Sequence, residues 1–255
     1  MSAFRVVPLA AALAAFAIAA AAQIPAAKDE STLATEPGGM PPVMDQGIFA
    51  HAILNELEGR FNGSNTQFRW EGQGWAGTDY DKLWIKSEGT LQGNGLLDDG
   101  QQQFLYSRAI TTYFDLQGGL RSDLDSRPTR NWAAFGIQGL APYFFDLELT
   151  GFVGGEGHLA GKLEASYDLL LTQRLILQPQ IEVNIYSKAD PARLVGAGFS
   201  DIDTGLRLRY EFTRKFAPYL GVVYEGRFGQ TANLARQAGE STGDVRFVFG
   251  VRVWF

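Results

Sequence analysis

The sequence predicts an all-β protein: a transmembrane antiparallel up-and-down β-barrel of about twelve strands, with a cleaved signal peptide and a short disordered N-terminal arm. Three observations predict it. Runs of alternating apolar and polar residues follow one another, each near the ~9–11 residues that a tilted strand needs to cross a bilayer. Short and long connections alternate between the runs. An apolar stretch ending in small residues precedes them all.

That stretch comes first. After Arg5 the sequence VVPLAAALAAFAIAAAAQ is mostly alanine, carries Pro8 and reaches Ala20, Ala21 and Ala22 ahead of Gln23. An apolar segment closing on an A-x-A site is the pattern of a secretory signal peptide, which assigns residues 1–22 to it. A single anchoring helix is the weaker reading, because no stop-transfer flank follows. Residues 23–47, QIPAAKDESTLATEPGGMPPVMDQG, are rich in Pro and Gly and have no period. They read as a flexible arm in the periplasm.

The barrel is assigned to residues 48–255. Its runs fall at about 49–60, 66–77, 82–92, 101–110, 113–123, 129–141, 143–153, 159–171, 174–187, 199–212, 216–228 and 244–255, the first being the least regular. No helix is expected beyond Gln46. In the eighth and ninth runs, Leu163, Ala165, Tyr167, Leu169 and Leu171 share a parity, as do Leu175, Leu177, Ile181, Val183 and Ile185. Lys162, Glu164 and Asp168, then Gln178, Gln180, Glu182 and Asn184, interleave with them. Successive strand residues point to opposite faces, so each run has one apolar and one polar face. The connections TDYD, TT, AP, TQR and TRK are short, whereas LQGNGLLDDGQQ, DLDSRPTR, SKADPARLVGAG and GQTANLARQAGESTG are long and polar. Aromatics gather beside the short ones (Tyr80, Tyr113, Phe114, Tyr143 to Phe145, Phe212, Phe216, Trp254 and Phe255), as a girdle at the inner membrane interface would. The last run, DVRFVFGVRVWF, ends on an aromatic strand suited to recognition by the outer-membrane insertion machinery.

A soluble sandwich would share the alternation, but would cover its apolar face with a second sheet, and no break between two sheets is visible. In a barrel the orientation follows from energy. Turning Arg207 and Arg209 to lipid would cost about 2–4 kcal/mol each near the midplane, so the charged face is the lumen and the apolar face meets outer-membrane lipid. The predicted lumen set is Glu71, Lys82, Lys86, Glu88, Arg108, Asp115, Arg121, Glu148, Glu164, Asp168, Glu182, Asp201, Asp203, Arg207, Arg209, Glu211, Glu225, Arg227, Arg246 and Arg252. Either these acids and bases pair into a network that fills the lumen, or they line a path or site for an ion.

Composition removes several functions. With no Cys there are no disulfides, thiolate metal sites or cysteine nucleophiles. A formal net charge of -6 without a basic run argues against nucleic acid. Only His51 and His158 are present, neither with an evident serine partner, so the chain reads as a non-enzyme.

Several stretches carry a family resemblance: QGWAGTDYDKLWIKSEG, QFLYSRAI, GIQGLAPYFFDLE, EASYDLLLTQRLILQPQIE and GLRLRYEFTRKFAPYLGVVYE. Together, from about residue 46 to Phe255, they resemble the copper resistance protein B (CopB/PcoB) outer-membrane family. The resemblance implies a monomeric barrel in the bacterial outer membrane that serves copper tolerance alongside a periplasmic multicopper oxidase. Copper would be bound or moved as an ion, with no organic cofactor. Many members carry an arm dense in Met and His. Here only Met40, Met44 and His51 stand in that region, either as a three-ligand copper site or as two linker methionines and a strand histidine with no metal between them.

Overall fold

The computed structural model describes residues 47–63, 65–125 and 129–255. Twelve antiparallel strands form one closed sheet. They are β1 (Phe49–Asn62), β2 (Asn65–Gly77), β3 (Asp81–Gln92), β4 (Leu97–Ala109), β5 (Phe114–Asp123), β6 (Arg130–Ala141), β7 (Phe145–Gly154), β8 (Leu159–Tyr167, resuming as Leu169–Leu170), β9 (Leu175–Tyr186), β10 (Gly198–Tyr210), β11 (Phe216–Arg227) and β12 (Gly243–Trp254). Each pairs with its neighbour in sequence, and β12 returns to β1 from Ile53↔Trp254 to Phe61↔Phe247. Closure leaves no open sheet edge, which a bilayer would not tolerate.

The alternation sorts side chains as a barrel requires. On β12, Phe247 is 69% exposed and its neighbour Arg246 is 4% exposed. The outer wall carries Leu83, Phe104, Leu120, Phe135, Leu220 and Phe249, all exposed. One side of the interior is apolar: Leu105, Trp132, Ala134 and Phe152 pack together with Trp84 and Ala160 against them. The Arg121 guanidinium lies over the Phe152 ring at 4.6 Å, which joins this cluster to the charged side.

Local chemistry explains the hairpins. Thr78, Thr111, Thr172 and Thr213 hold equivalent places in four short turns, and each hydroxyl accepts a backbone N–H two or three residues on, such as Asp81 at 3.1 Å and Leu175 at 2.9 Å. The interruption of β8 at Asp168 falls near Pro179 of β9, which has no N–H to donate to that ladder.

Three expectations need correcting. The last long connection holds a helix, α1 (Gly229–Gln237), because Ala232, Leu234, Ala235, Arg236 and Gln237 are good helix formers. Its Thr231, Ala232 and Ala235 pack down onto the mouth of the barrel. Trp254 is not part of an outward girdle. It shares the inward parity of Arg246 and Val248 and stacks on His51 with ring centroids 5.6 Å apart. Tyr80, Tyr113, Tyr143, Phe144, Phe212 and Phe216 are exposed beside the short turns. Arg108 is not in the lumen. On β4 the inward residues are Gln101, Gln103, Leu105 and Ser107, so Arg108 falls on the outer face with Phe104 and Tyr106. It sits one residue from the end of its strand, where a long side chain reaches the interfacial region rather than acyl chains.

Candidate functional site

The interior is built outward from β1. Asn55 is an extra residue there: Leu54 pairs with Gly72 and Glu56 with Glu71, so the strand bulges between them. The bulge resets parity and turns Glu56, Glu58 and Arg60 inward together. All three are fully buried.

Arg60 is the hub. Its guanidinium meets Glu58 at 2.8 Å, Asp203 at 2.6 Å, Glu225 at 2.7 Å and Glu56 at 3.4 Å. Arg207 from β10 reaches Glu56 at 2.6 Å and Glu58 at 2.9 Å, and Tyr219 donates its hydroxyl to Glu58 at 2.9 Å. Arg69 binds Glu56 at 3.0 Å and Glu182 at 3.3 Å. Lys162 meets Glu88 at 2.8 Å, Glu182 at 3.3 Å and Glu164 at 3.7 Å. Buried charges survive when each is paired and hydrogen-bonded, and here each guanidinium serves more than one carboxylate. The seat for Tyr219 depends on Gly250, where a Cβ would lie 2.7 Å from both the Tyr219 ring and the Cβ of Glu58.

Two cavities flank this belt. The inner one, toward the short turns, is about 290 Å³ and is lined by His51, Glu71, Lys86, Glu88, Glu148, Glu164, Arg207 and Arg252. The outer one is about 720 Å³ and is lined by Glu88, Arg121, His158, Glu182, Asp201, Asp203, Glu225, Arg227 and Arg246. Around them Lys82 pairs with Asp115 at 2.8 Å, Lys86 with Glu148 at 2.6 Å, and Arg121 with Asp123 at 2.7 Å. Asp168 pairs with Arg209 at 2.6 Å and lies 3.8 Å from Arg252. Asp201 accepts from Asn184 at 2.9 Å, Arg246 meets Glu225 at 3.2 Å, and Arg227 meets Glu240 at 2.5 Å. Glu211 lies just past the end of β10, its backbone N–H donated to the carbonyl of Arg174 at 2.8 Å.

His51 is stacked between Trp254 and Trp75, centroids 5.6 and 6.3 Å away and planes 21° and 18° apart. Trp84 continues the aromatic layer beyond Trp75. Met40 and Met44 lie outside the described residues. Among the described residues no three His, Asp or Glu side chains are grouped to hold a metal ion.

The predicted lumen set omits the centre of the belt, Glu56, Glu58, Arg60 and Arg69, and also Lys162 and Asp123. The signal for the first three was the broken parity of the opening run, which is a bulge and not a weak strand. Arg69 shares its parity with Glu71 and was available from the alternation of β2 alone.

The outer mouth is tied down by its loops. The Thr231 hydroxyl of α1 accepts the Gly196 N–H at 2.8 Å and lies 2.9 Å from the Ser200 hydroxyl. Arg193 meets Asp125 at 2.5 Å, and Arg130 pairs with Asp190.

Comparison with known proteins agrees with this architecture. Residues 48–255 match the family described as copper resistance protein B precursor (CopB). The chain is 43% identical over 213 residues to a copper resistance protein B of Escherichia coli, spanning 84% of this chain and 72% of that relative. It is 42% identical over 213 residues, with the same coverage, to a copper resistance protein B homolog of Pseudomonas syringae pv. tomato. Among solved structures, the NanC porin shares the fold with a TM-score of 0.51 at 12% identity, covering 80% of this chain and 98% of that one. The matched region is the whole barrel, and the chain belongs to the copper resistance protein B family.

Proposed function

We propose that this protein is an outer-membrane barrel that contributes to copper resistance by taking copper ions into a lumen closed at its middle. Family membership supports the role in copper resistance, and the barrel fold fits an outer-membrane protein. Family and fold together point away from catalysis. The observation that carries binding rather than free passage is the belt of ion pairs around Arg60, with one cavity on each side of it.

In this proposal residues 1–22 are the signal peptide, 23–47 a periplasmic arm and 48–255 the barrel. Met40, Met44 and His51 supply copper ligands near the periplasmic mouth, where a multicopper oxidase would exchange the ion. The chain acts as a monomer.

The test is copper tolerance of a strain lacking the gene, with and without complementation. Loss of tolerance restored by the gene is expected, and unchanged tolerance at every copper dose would remove the proposal. The same belt also favours a second reading, a structural or narrow-pore barrel with no copper role. Titration of the purified protein with Cu(I) and Cu(II) separates the two, because the second reading requires no binding of either.

A further inference from the structure

We propose that the lumen is a cation-selective path closed by one side chain, and that the ammonium of Lys162 is its gate, seated where the two cavities meet. This holds for any small hydrated cation, so it stands or falls separately from the copper role.

The lining defines the meeting point. Glu88 and Gln101, opposite each other on β3 and β4, line both cavities, whereas Arg60 joins β1 to β10 and β11. From β8, Lys162 reaches across this seam and donates to both carboxylate oxygens of Glu88, at 2.9 and 2.8 Å. Its side chain is 4% exposed, and its Nζ also lies 3.3 Å from Glu182 of the outer cavity and 3.7 Å from Glu164 of the inner one. Gln101 is 6% exposed, and its side-chain oxygen has no donor among the described residues. A buried acceptor left open at the seam suits the water shell of a passing ion.

The walls set the sign of that ion. Glu148, Glu164, Glu182, Asp203, Glu225 and Asp244 are cross-strand partners in succession from β7 to β12. Opposed like charges destabilise a sheet, so packing alone does not account for six in a row. Glu148 lies near the inner end of its strand and Asp244 near the outer end of its own, so the row climbs the wall from the inner cavity to the outer one. The inner cavity has six carboxylates against four Lys and Arg side chains, and the outer has twelve against eight. A cleft lined by an excess of one sign concentrates ions of the other.

A lysine suits a gate. Its charge is compact and rides on a flexible four-carbon stem, whereas Arg60, Arg69 and Arg207 present rigid guanidinium forks to the belt. An ammonium that leaves Glu88 keeps Glu182 and Glu164, so opening strands no buried cation. Glu88 is then the unpaired group, and a passing cation neutralises it where an anion cannot.

The experiment measures reversal potential and single-channel conductance in planar bilayers across a potassium chloride gradient. It uses the full chain purified in detergent, with folding of each variant checked by heat-modifiable gel migration. The native protein is expected to conduct weakly and to favour potassium over chloride. Lys162→Met should raise conductance severalfold and strengthen that preference. Glu88→Gln should also raise conductance but weaken the preference, a split that a merely structural role would not produce. Lys82→Met, which breaks the pair with Asp115 nearer the short turns, should change neither reading. Should Lys162→Met fail to fold, Glu88→Gln/Lys162→Met carries the same conductance prediction, with Glu182 still held by Arg69. Chloride preference in the native protein or in Lys162→Met, unchanged conductance in the folded Lys162 variants, or an equal rise in Lys82→Met would overturn the proposal. Copper tolerance and copper titration decide the proposed function independently of these readings.

Discussion

Arg60 on β1 and Asp203 on β10, 143 residues apart in the chain, meet at 2.6 Å inside the barrel. The Arg60 side chain is 2% exposed and shares itself among four carboxylates. Removing it would leave Glu58 with Arg207 and Tyr219 and Glu56 with Arg69 and Arg207, each short of one cationic partner. Breaking a buried ion pair from one side costs about 3–5 kcal/mol, because the remaining charge stays desolvated. Arg60→Ala is therefore expected to lower stability by about that amount, read as a fall in the urea midpoint for unfolding from detergent or lipid. A loss below about 1 kcal/mol would show that water, not Arg60, neutralises the belt.

The same belt should limit conductance. Arg207 bridges Glu56 and Glu58 between the two cavities. In planar bilayers the native protein should conduct poorly, and Arg60→Ser/Arg207→Ser should raise single-channel conductance severalfold. A native conductance already as high as that of the double variant would mean that the belt does not close the lumen.

A small residue holds one corner of the belt open. At Gly250 a Cβ would press on Glu58 and on the ring of Tyr219, whose hydroxyl donates to Glu58. Gly250→Leu should displace Tyr219 and cost about 1–3 kcal/mol by overpacking. Gly250→Leu/Tyr219→Ala should recover part of the loss, since the second change removes the clashing ring. No recovery in the double variant would place the strain elsewhere.

The outer wall has its own test. Phe249 is 64% exposed and opposes Leu220 and Gly59 near the middle of its strand. Phe249→Arg should destabilise the membrane-inserted barrel by about 2–4 kcal/mol. The comparison is Phe212→Arg beside a short turn, where the same charge reaches the interface and should cost under about 1 kcal/mol. Equal costs at both positions would argue that Phe249 does not face acyl chains.

Period-two alternation is a property of each strand, so it was readable in single runs: Arg207 and Arg209 opposite Leu206 and Leu208 already assign an inside and an outside. Turn chemistry is local too, and Thr172-Gln173-Arg174 reads as a hairpin on its own. The strand count and the limits of most strands followed from these alone. Charge is a poorer guide to the inside than parity: Arg108 lies on the outer face near its strand end while Ser107 points inward. Helix propensity in the 229–237 segment was masked by its polar composition.

Partners across the lumen belong to a different level. Which carboxylate Arg60 meets depends on how the sheet closes, because closure sets the height at which β1 faces β10 and β11, and one inserted residue at Asn55 shifts that height. The pairing of His51 with Trp254 likewise exists only once β12 returns to β1. Alternation decides which side a residue faces; the bulge and the closing register decide what it touches there, since contact between residues more than a hundred positions apart requires the whole ring to be complete.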